Sequence, residues 1–209
     1  MTASAGPRLA RLGVLLSGRG SNFLAIHEAI ERGEVPAEIA LVVSNRADAA
    51  GLARARELGL EAVALPHEAE PDRAAHESKV LAALEAAAVE WVCLAGYMRL
   101  LSPAFIVRFR RRILNIHPSL LPAFPGLAAQ RQAVEYGVRV SGCTVHLVDE
   151  GLDSGPIVVQ RAVEVRDGDS SEALAARILE EEHRAYPQAL RRLLTESWSL
   201  GGRRLRFGE

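Results

Sequence analysis

An amide and an imidazole two residues apart, Asn115 and His117, open the run Asn115-Ile116-His117-Pro118-Ser119-Leu120-Leu121-Pro122. Over Arg112-Ile113-Leu114-Asn115-Ile116-His117 the residues read as a strand, whose successive side chains alternate between faces. Asn115 and His117 therefore project together, about 6.6 Å apart along the strand, while Leu114 and Ile116 face the other way. Asn is a poor strand former, and a buried amide without a partner costs roughly 1–3 kcal/mol, so a polar pair in an apolar strand implies a partner. Pro118 has no N–H and ends the ladder. A neutral amide beside a group that titrates near neutrality can stabilise a developing oxyanion and move a proton in one step, which suits attack of an amine on a carbonyl. The same residues also fit a plainer arrangement, with Asn115 capping a turn and His117 hydrogen-bonded in the core. Three further features favour chemistry.

The first is Leu12-Gly13-Val14-Leu15-Leu16-Ser17, followed by Gly18-Arg19-Gly20-Ser21-Asn22 and a helical pattern with Phe23, Ile26 and Ile30 on one face. Glycines let the backbone approach a ligand, and free N–H groups at a helix start favour an anion. The third glycine of a dinucleotide fingerprint would fall at Phe23, and no Gly-Lys-Ser/Thr follows, so a single phosphate is indicated rather than a nicotinamide dinucleotide or a nucleoside triphosphate. Purely steric turning of the first strand would use the same glycines, and Ser21 could be a helix N-cap. The second feature is Asp153, in the turn-rich segment Asp149-Glu150-Gly151-Leu152-Asp153-Ser154-Gly155-Pro156. Folded over His117, its carboxylate would favour the imidazolium and keep a proton available; Asp149 and Glu150 read as turn chemistry. The third is Ala95-Gly96-Tyr97-Met98-Arg99-Leu100-Leu101 at the carboxyl end of a strand, where open α/β sheets bind ligands and where mixed apolar and cationic residues could wall a flat heterocycle.

Other clusters carry less. His27, His67 and His76 lack metal-ligand spacing and Glu181-Glu182-His183 is not a His-Glu-x-x-His motif, so no metal is expected. Lys79 is the only lysine, which restricts Schiff-base chemistry to that residue. The Arg108-x-Arg110-Arg111-Arg112 run reads as a solvated face, and no Gly-x-Ser-x-Gly elbow is present.

These residues need elements to hold them. In 209 residues, 49% apolar and 24% charged, the chain can bury a substantial core. A formal net charge of −1 gives no field attracting nucleic acid or an anionic membrane, although Arg203-Arg204-Leu205-Arg206 is locally basic. Two isolated cysteines, Cys93 and Cys143, make neither a disulfide framework nor a redox motif, and no signal peptide or membrane span is visible; a cytoplasmic protein is expected. Short β-rich runs near 12–17, 39–44, 61–65, 91–95 and 112–116 alternate with helical patterns near 22–32, 47–58, 72–88 and 103–110, the signature of a parallel sheet covered on both faces. A Pro- and Gly-rich loop from 118 to 126 leads to a short helix ending at Gly137. The runs Val138–Val148 and Ile157–Val165 are too closely connected for anything but antiparallel pairing. A long helix from about 171 to 195 is expected to open on the capping box Asp169-x-x-Glu172 and to kink at Pro187. The chain thus predicts α/β class and one three-layer domain over 1–209, a Rossmann-like parallel sheet in the N-terminal half extended by antiparallel strands, with residues 1–9 as a disordered extension.

Taken in order, Ser17-Gly18-Arg19-Gly20-Ser21-Asn22, Leu94-Ala95-Gly96-Tyr97-Met98-Arg99, the 115–122 run and the 149–156 segment resemble the folate-dependent formyltransferases, within them those acting on phosphoribosylglycinamide in purine synthesis. The likeness runs from about residue 12 to residue 190. It implies transfer of a formyl group from 10-formyltetrahydrofolate, as co-substrate, to the primary amine of phosphoribosylglycinamide, with Asn115, His117 and Asp153 as the catalytic trio. Gly20, Ser21 and Asn22 would hold the phosphate, with Pro118 and Glu182 also at that substrate. Arg73, Met98, Arg99, Leu100, Leu101 and Asn115, together with Asp149, Glu150, Gly151 and Leu152, would line the folate site. Ala128 and Ala129 depart from the resemblance, standing where family members often carry a polar side chain. Small-molecule substrates are the expected partners, with monomer and homodimer both open. The alternatives are a hydrolase releasing formate from the same folate, whose members usually carry an additional N-terminal regulatory domain, and a non-catalytic folate-binding module. A transfer-RNA formyltransferase is disfavoured for want of a broad basic surface.

Overall fold

The computed structural model describes residues 8–208. In chain order the elements are β1 (Ala10–Leu16), α1 (Ser21–Glu31), β2 (Ala37–Ser44), α2 (Ala50–Glu57), β3 (Ala62–Ala64), α3 (Arg73–Ala86), β4 (Trp91–Leu94), α4 (Pro103–Arg108), β5 (Ile113–His117), α5 (Ala129–Tyr136), β6 (Val140–Leu147), β7 (Ile157–Glu164), α6 (Ser171–Thr195), β8 (Trp198–Gly201) and β9 (Arg204–Phe207). They form one mixed sheet in the order β3-β2-β1-β4-β5-β6-β7-β9-β8. The strands β1 to β5 pair in parallel, as crossovers through helices require. The chain then reverses: β6 runs antiparallel to β5 and β7 antiparallel to β6, as the short connection between them demands.

Both faces of the parallel half are apolar because both are covered. On one face Leu12, Val14, Leu16, Cys93 and Leu114 pack with Phe23, Ile26, Ile178, Tyr186 and Leu190 from α1 and α6. On the other, Leu15, Val43, Val92 and Ile113 pack with Val80 and Leu84 of α3 and Phe105 of α4. This is the predicted three-layer α/β domain.

Local chemistry sets the boundaries. Ser102 caps α4 by accepting from the Phe105 N–H, with Pro103 at the first helical position as expected. The long helix α6 departs from expectation at its start. Its cap is Ser170, which accepts from Ala173 N, and not Asp169. The Asp169 carboxylate is taken instead by the Arg177 guanidinium and the Arg166 N–H, a charge-assisted arrangement that outweighs a neutral cap. Pro187 lies inside α6, whose helical run continues across it to Thr195.

The β8–β9 hairpin was not anticipated from the sequence. It joins the sheet through a single parallel register pair, Ile157 with Arg204. The Arg203 guanidinium in its turn donates to the carbonyl oxygen of Ser154. Of the expected N-terminal extension, residues 1–7 lie outside the described residues; Arg8 pairs with Glu90. Among the described residues no helix is long and apolar enough to cross a membrane.

Candidate active site

Strand β5 ends at the carboxyl edge of the sheet with Asn115 and His117 on one face, as alternation dictates. The antiparallel register of β6 sets His146 opposite Asn115 and Thr144 opposite His117. Directly paired residues share a face, so four polar side chains meet on this strand pair. The loop after β6 then folds back over them. Asp153, at its tip, has φ 46°, a left-handed conformation that few non-glycine residues adopt and that favours Asn and Asp.

The Asp153 Oδ2 lies 3.3 Å from His117 Nδ1 and accepts from Gly126 N at 2.8 Å. Its other oxygen, Oδ1, lies 3.5 Å from Asn115 Nδ2 and 3.8 Å from His146 Nε2. The far ring nitrogen of His117, Nε2, lies 2.8 Å from the carbonyl oxygen of Phe124. An acceptor therefore faces each ring nitrogen, the Asp153 carboxylate at Nδ1 and the Phe124 carbonyl at Nε2. The predicted association of amide, imidazole and carboxylate is present.

The carbonyl that His117 meets belongs to a tightly tied loop. Thr144 Oγ1 donates to Ser119 O at 2.7 Å and accepts from Leu121 N at 3.0 Å, while Gln160 of β7 donates to Leu121 O at 2.9 Å. Ser119 Oγ donates to Ala123 O at 2.5 Å. In this way β6 and β7 fix the 119–124 segment against His117.

Sequence reasoning missed His146, which is buried and lies 3.2 Å from Asn115 Nδ2. Burial pushes its pKa below the ordinary 6.5, and the nearby Asp153 charge opposes that push. The available signal was the alternation Thr144-x-His146 in an apolar run, which acquires meaning only once the β5–β6 register is known.

The glycine loop lies between β1 and α1. Gly20, at φ 75°, is the residue before the helix, so Ser21 is the first helical residue and not the N-cap. No side chain caps α1, which leaves its first N–H groups free for an anion. A Cβ on Gly20 would meet Gly51 Cα at 2.9 Å, and Gly51 N donates to Gly18 O, so the loop is held against α2 by backbone contact that only glycine permits. Asn22 turns inward: its Nδ2 donates to Glu182 Oε2 at 2.7 Å across the α1–α6 interface, and its Oδ1 has no partner. Burial raises the Glu182 pKa above its ordinary 4.5, opposed by that hydrogen bond. The structure thus brings Asn22 and Glu182 together across the α1–α6 interface.

The other predicted lining residues occupy two loops. Met98 and Leu100 are 71% and 65% exposed and Leu152 is 55% exposed, a concentration of bare apolar surface at the carboxyl edge that suits a flat ring. Arg99 and Leu101 are half-buried between them, and Glu150 and Gly151 are exposed at the tip of the second loop. Asp149 Oδ1 shapes that loop, accepting from Gly151 N at 3.1 Å and Ser154 Oγ at 2.5 Å. Arg73 stands exposed on the first turn of α3, one turn before Glu77, whose carboxylate receives Ser102 N at 2.9 Å at the end of the first loop. Pro118 follows His117 and is half-buried; Ala128 is left-handed at φ 56° before α5, and Ala129 is buried. Two clefts beside α1, of about 250 Å³ against α6 and about 360 Å³ against α2, contain none of the trio. Chemistry, not cavity size, marks the site.

Residues 10–190 match a family profile described as formyl transferase. The chain belongs to the formyl transferase family. Within this family it is 43% identical over 190 residues to phosphoribosylglycinamide formyltransferase of Escherichia coli, covering 91% of this chain and 87% of that one. It is 49% identical over 182 residues to the trifunctional purine biosynthetic protein adenosine-3 of Drosophila pseudoobscura pseudoobscura, covering 86% of this chain but spanning only 13% of that longer protein. The crystal structure of glycinamide ribonucleotide transformylase 1 from Symbiobacterium toebii superposes with TM-score 0.96 at 49% identity, covering 100% of this chain and 99% of that one. The family's fold is therefore the fold described above.

Proposed function

We propose that this chain transfers the formyl group of 10-formyltetrahydrofolate to the primary amine of 5′-phosphoribosylglycinamide, yielding the N-formyl product and tetrahydrofolate in purine synthesis. The observation that carries the reading is His117 set between the Asp153 carboxylate and the Phe124 carbonyl, with the Asn115 amide on the same face. Membership of the formyl transferase family and the names of its relatives support the substrates.

In this mechanism the amine attacks the formyl carbon, and the developing oxyanion accepts from the Asn115 amide and from the His117 Nδ1–H, whose 3.3 Å contact with Asp153 Oδ2 is the looser of the ring's two. As the tetrahedral intermediate collapses, the carbon–nitrogen bond to the folate breaks. The proton lost by the attacking nitrogen reaches the leaving folate nitrogen through His117 and Asp153. Free N–H groups at Gly20, Ser21 and Asn22 hold the phosphate, with Pro118 and Glu182 beside the rest of that substrate. The loops carrying Met98 to Leu101 and Asp149 to Leu152, with Arg73 at their margin, hold the folate. Holding two substrates in line supplies much of the acceleration.

The test supplies the protein with 10-formyltetrahydrofolate with and without phosphoribosylglycinamide. Folate deformylation that requires the amine, with formate absent and the N-formyl product present, is expected. Equal deformylation without the amine would make the protein a hydrolase; no turnover would make it a binding module. His117→Ala and Asp153→Asn are each expected to lower kcat by about 100-fold or more while the melting temperature stays close to that of the parent. Unchanged turnover in both variants returns the trio to a structural role.

A further inference from the structure

The hydroxyl of Ser17 joins two loops that leave neighbouring strands. Ser17 follows β1 and begins the glycine loop, and its backbone N–H donates to Gly96 O at 3.1 Å. Its Oγ accepts from the Met98 N–H at 2.9 Å and donates to Asn45 Oδ1 at 2.5 Å. Ser17 and Asn45 are 8% and 4% exposed, so this is a buried junction. Asn45, just past β2, is itself fixed, its Nδ2 lying 3.3 Å from His67 Nδ1. A hydroxyl has one hydrogen to give, and giving it to Asn45 turns a lone pair toward Met98. The strand β4 has ended at Leu94, so Met98 N–H finds its partner in a side chain across the gap to β1. The far end of the same loop is held by Glu77 through Ser102.

We propose that Ser17 is a positioning residue for the formyl donor: its hydroxyl, aimed by Asn45, pins the Met98 backbone and sets the 96–101 loop in register with the glycine loop. This rests on the reading of those loops as the folate wall and the phosphate cradle. Loss of the hydroxyl acts selectively, because the glycine loop keeps its backbone contact from Gly51 N to Gly18 O, whereas the Met98 amide keeps nothing in place of Ser17.

The test combines kinetics with amide exchange in Ser17→Ala, Asn45→Leu and Asn45→Asp. In Ser17→Ala and Asn45→Leu the KM for 10-formyltetrahydrofolate is expected to rise about tenfold or more, while kcat and the KM for phosphoribosylglycinamide stay within about threefold. Exchange of the Met98 amide is expected to quicken about tenfold in both variants. Asn45→Asp keeps an acceptor for the Ser17 hydroxyl while losing the Nδ2 beside His67, so its Met98 exchange and formyl-donor KM should lie closer to the parent's than those of Asn45→Leu, and values equal to those of Asn45→Leu overturn the aiming role of Asn45. A folded Ser17→Ala protein with unchanged Met98 exchange overturns the proposal, as does an equal rise in both Michaelis constants. Faster exchange with an unchanged formyl-donor KM overturns it too, and leaves the reading of the site standing. Absence of folate turnover in the parent overturns the reading of the site itself.

Discussion

The two histidines beside Asp153 differ in what surrounds them. His117 has an acceptor at each nitrogen, Asp153 on one side and the Phe124 carbonyl on the other. His146 is buried beside an amide, and burial holds its pKa below 6.5. The consequence for stability has a definite sign. The unfolded chain takes up a proton on His146 near 6.5 and the folded protein only at lower pH, so the fold is favoured above that value and loses this contribution as pH falls through it. His183, also lowered by burial, acts in the same direction, whereas Glu182, raised by burial, favours the fold at low pH and loses its contribution as pH rises. Comparing parent with His146→Gln isolates one of these. The fall in melting temperature from about pH 7 to about pH 5.5 should be smaller in the variant, and an identical fall would remove His146 as a source. At this scale the trio was legible because Asn115 and His117 share a strand face by spacing alone, and because an aspartate in a glycine-rich turn stood without a structural partner. The inward turn of Asn22 was not legible: its neighbour Glu182 lies 160 positions away, and no local pattern announces an amide aimed at a distant helix.

Loops, more than strands, decide whether the side chains meet. The segment bearing Asp153 returns over β6 through Gly155, where a Cβ would lie 1.7 Å from the carbonyl oxygen of Leu147. Gly155→Ala must therefore displace the loop or the end of β6, and Asp153 with it. We expect kcat to fall at least about tenfold, by more than the loss of stability accounts for, in parallel assays of turnover and denaturant midpoint. Retained turnover would show that the loop finds its place without this close approach. The β-rich runs, the helices and the antiparallel return were readable from periodicity and connection length. Two local features were not. Ser170 displaced Asp169 as the cap because Arg177, eight residues on, competes for that carboxylate. The hairpin of β8 and β9 alternates apolar and polar residues around Gly201-Gly202-Arg203, but its arginines read only as a locally basic run until the edge of β7 is there to receive them.

Across the whole molecule the five parallel strands give way to antiparallel pairing between β5 and β6. Strand β5 has β4 parallel on one side and β6 antiparallel on the other, and Asn115, His117, Thr144 and His146 all stand on that β5–β6 pair. The helix α6 clamps the parallel side, its Tyr186 hydroxyl lying 3.0 Å from the carbonyl oxygens of both Leu94 and Leu114. Removing that hydroxyl in Tyr186→Phe takes away the single hydrogen that the two buried carbonyls share and should cost about 1–2 kcal/mol, read as a lower denaturant midpoint with an unchanged slope. Placing Asn115 and His117 of the proposed trio on the central seam, and not on a peripheral flap, also fixes how the protein dies. A partly heated sample should hold intact molecules working at full speed and dead ones, with few cripples between, so surviving activity counts molecules.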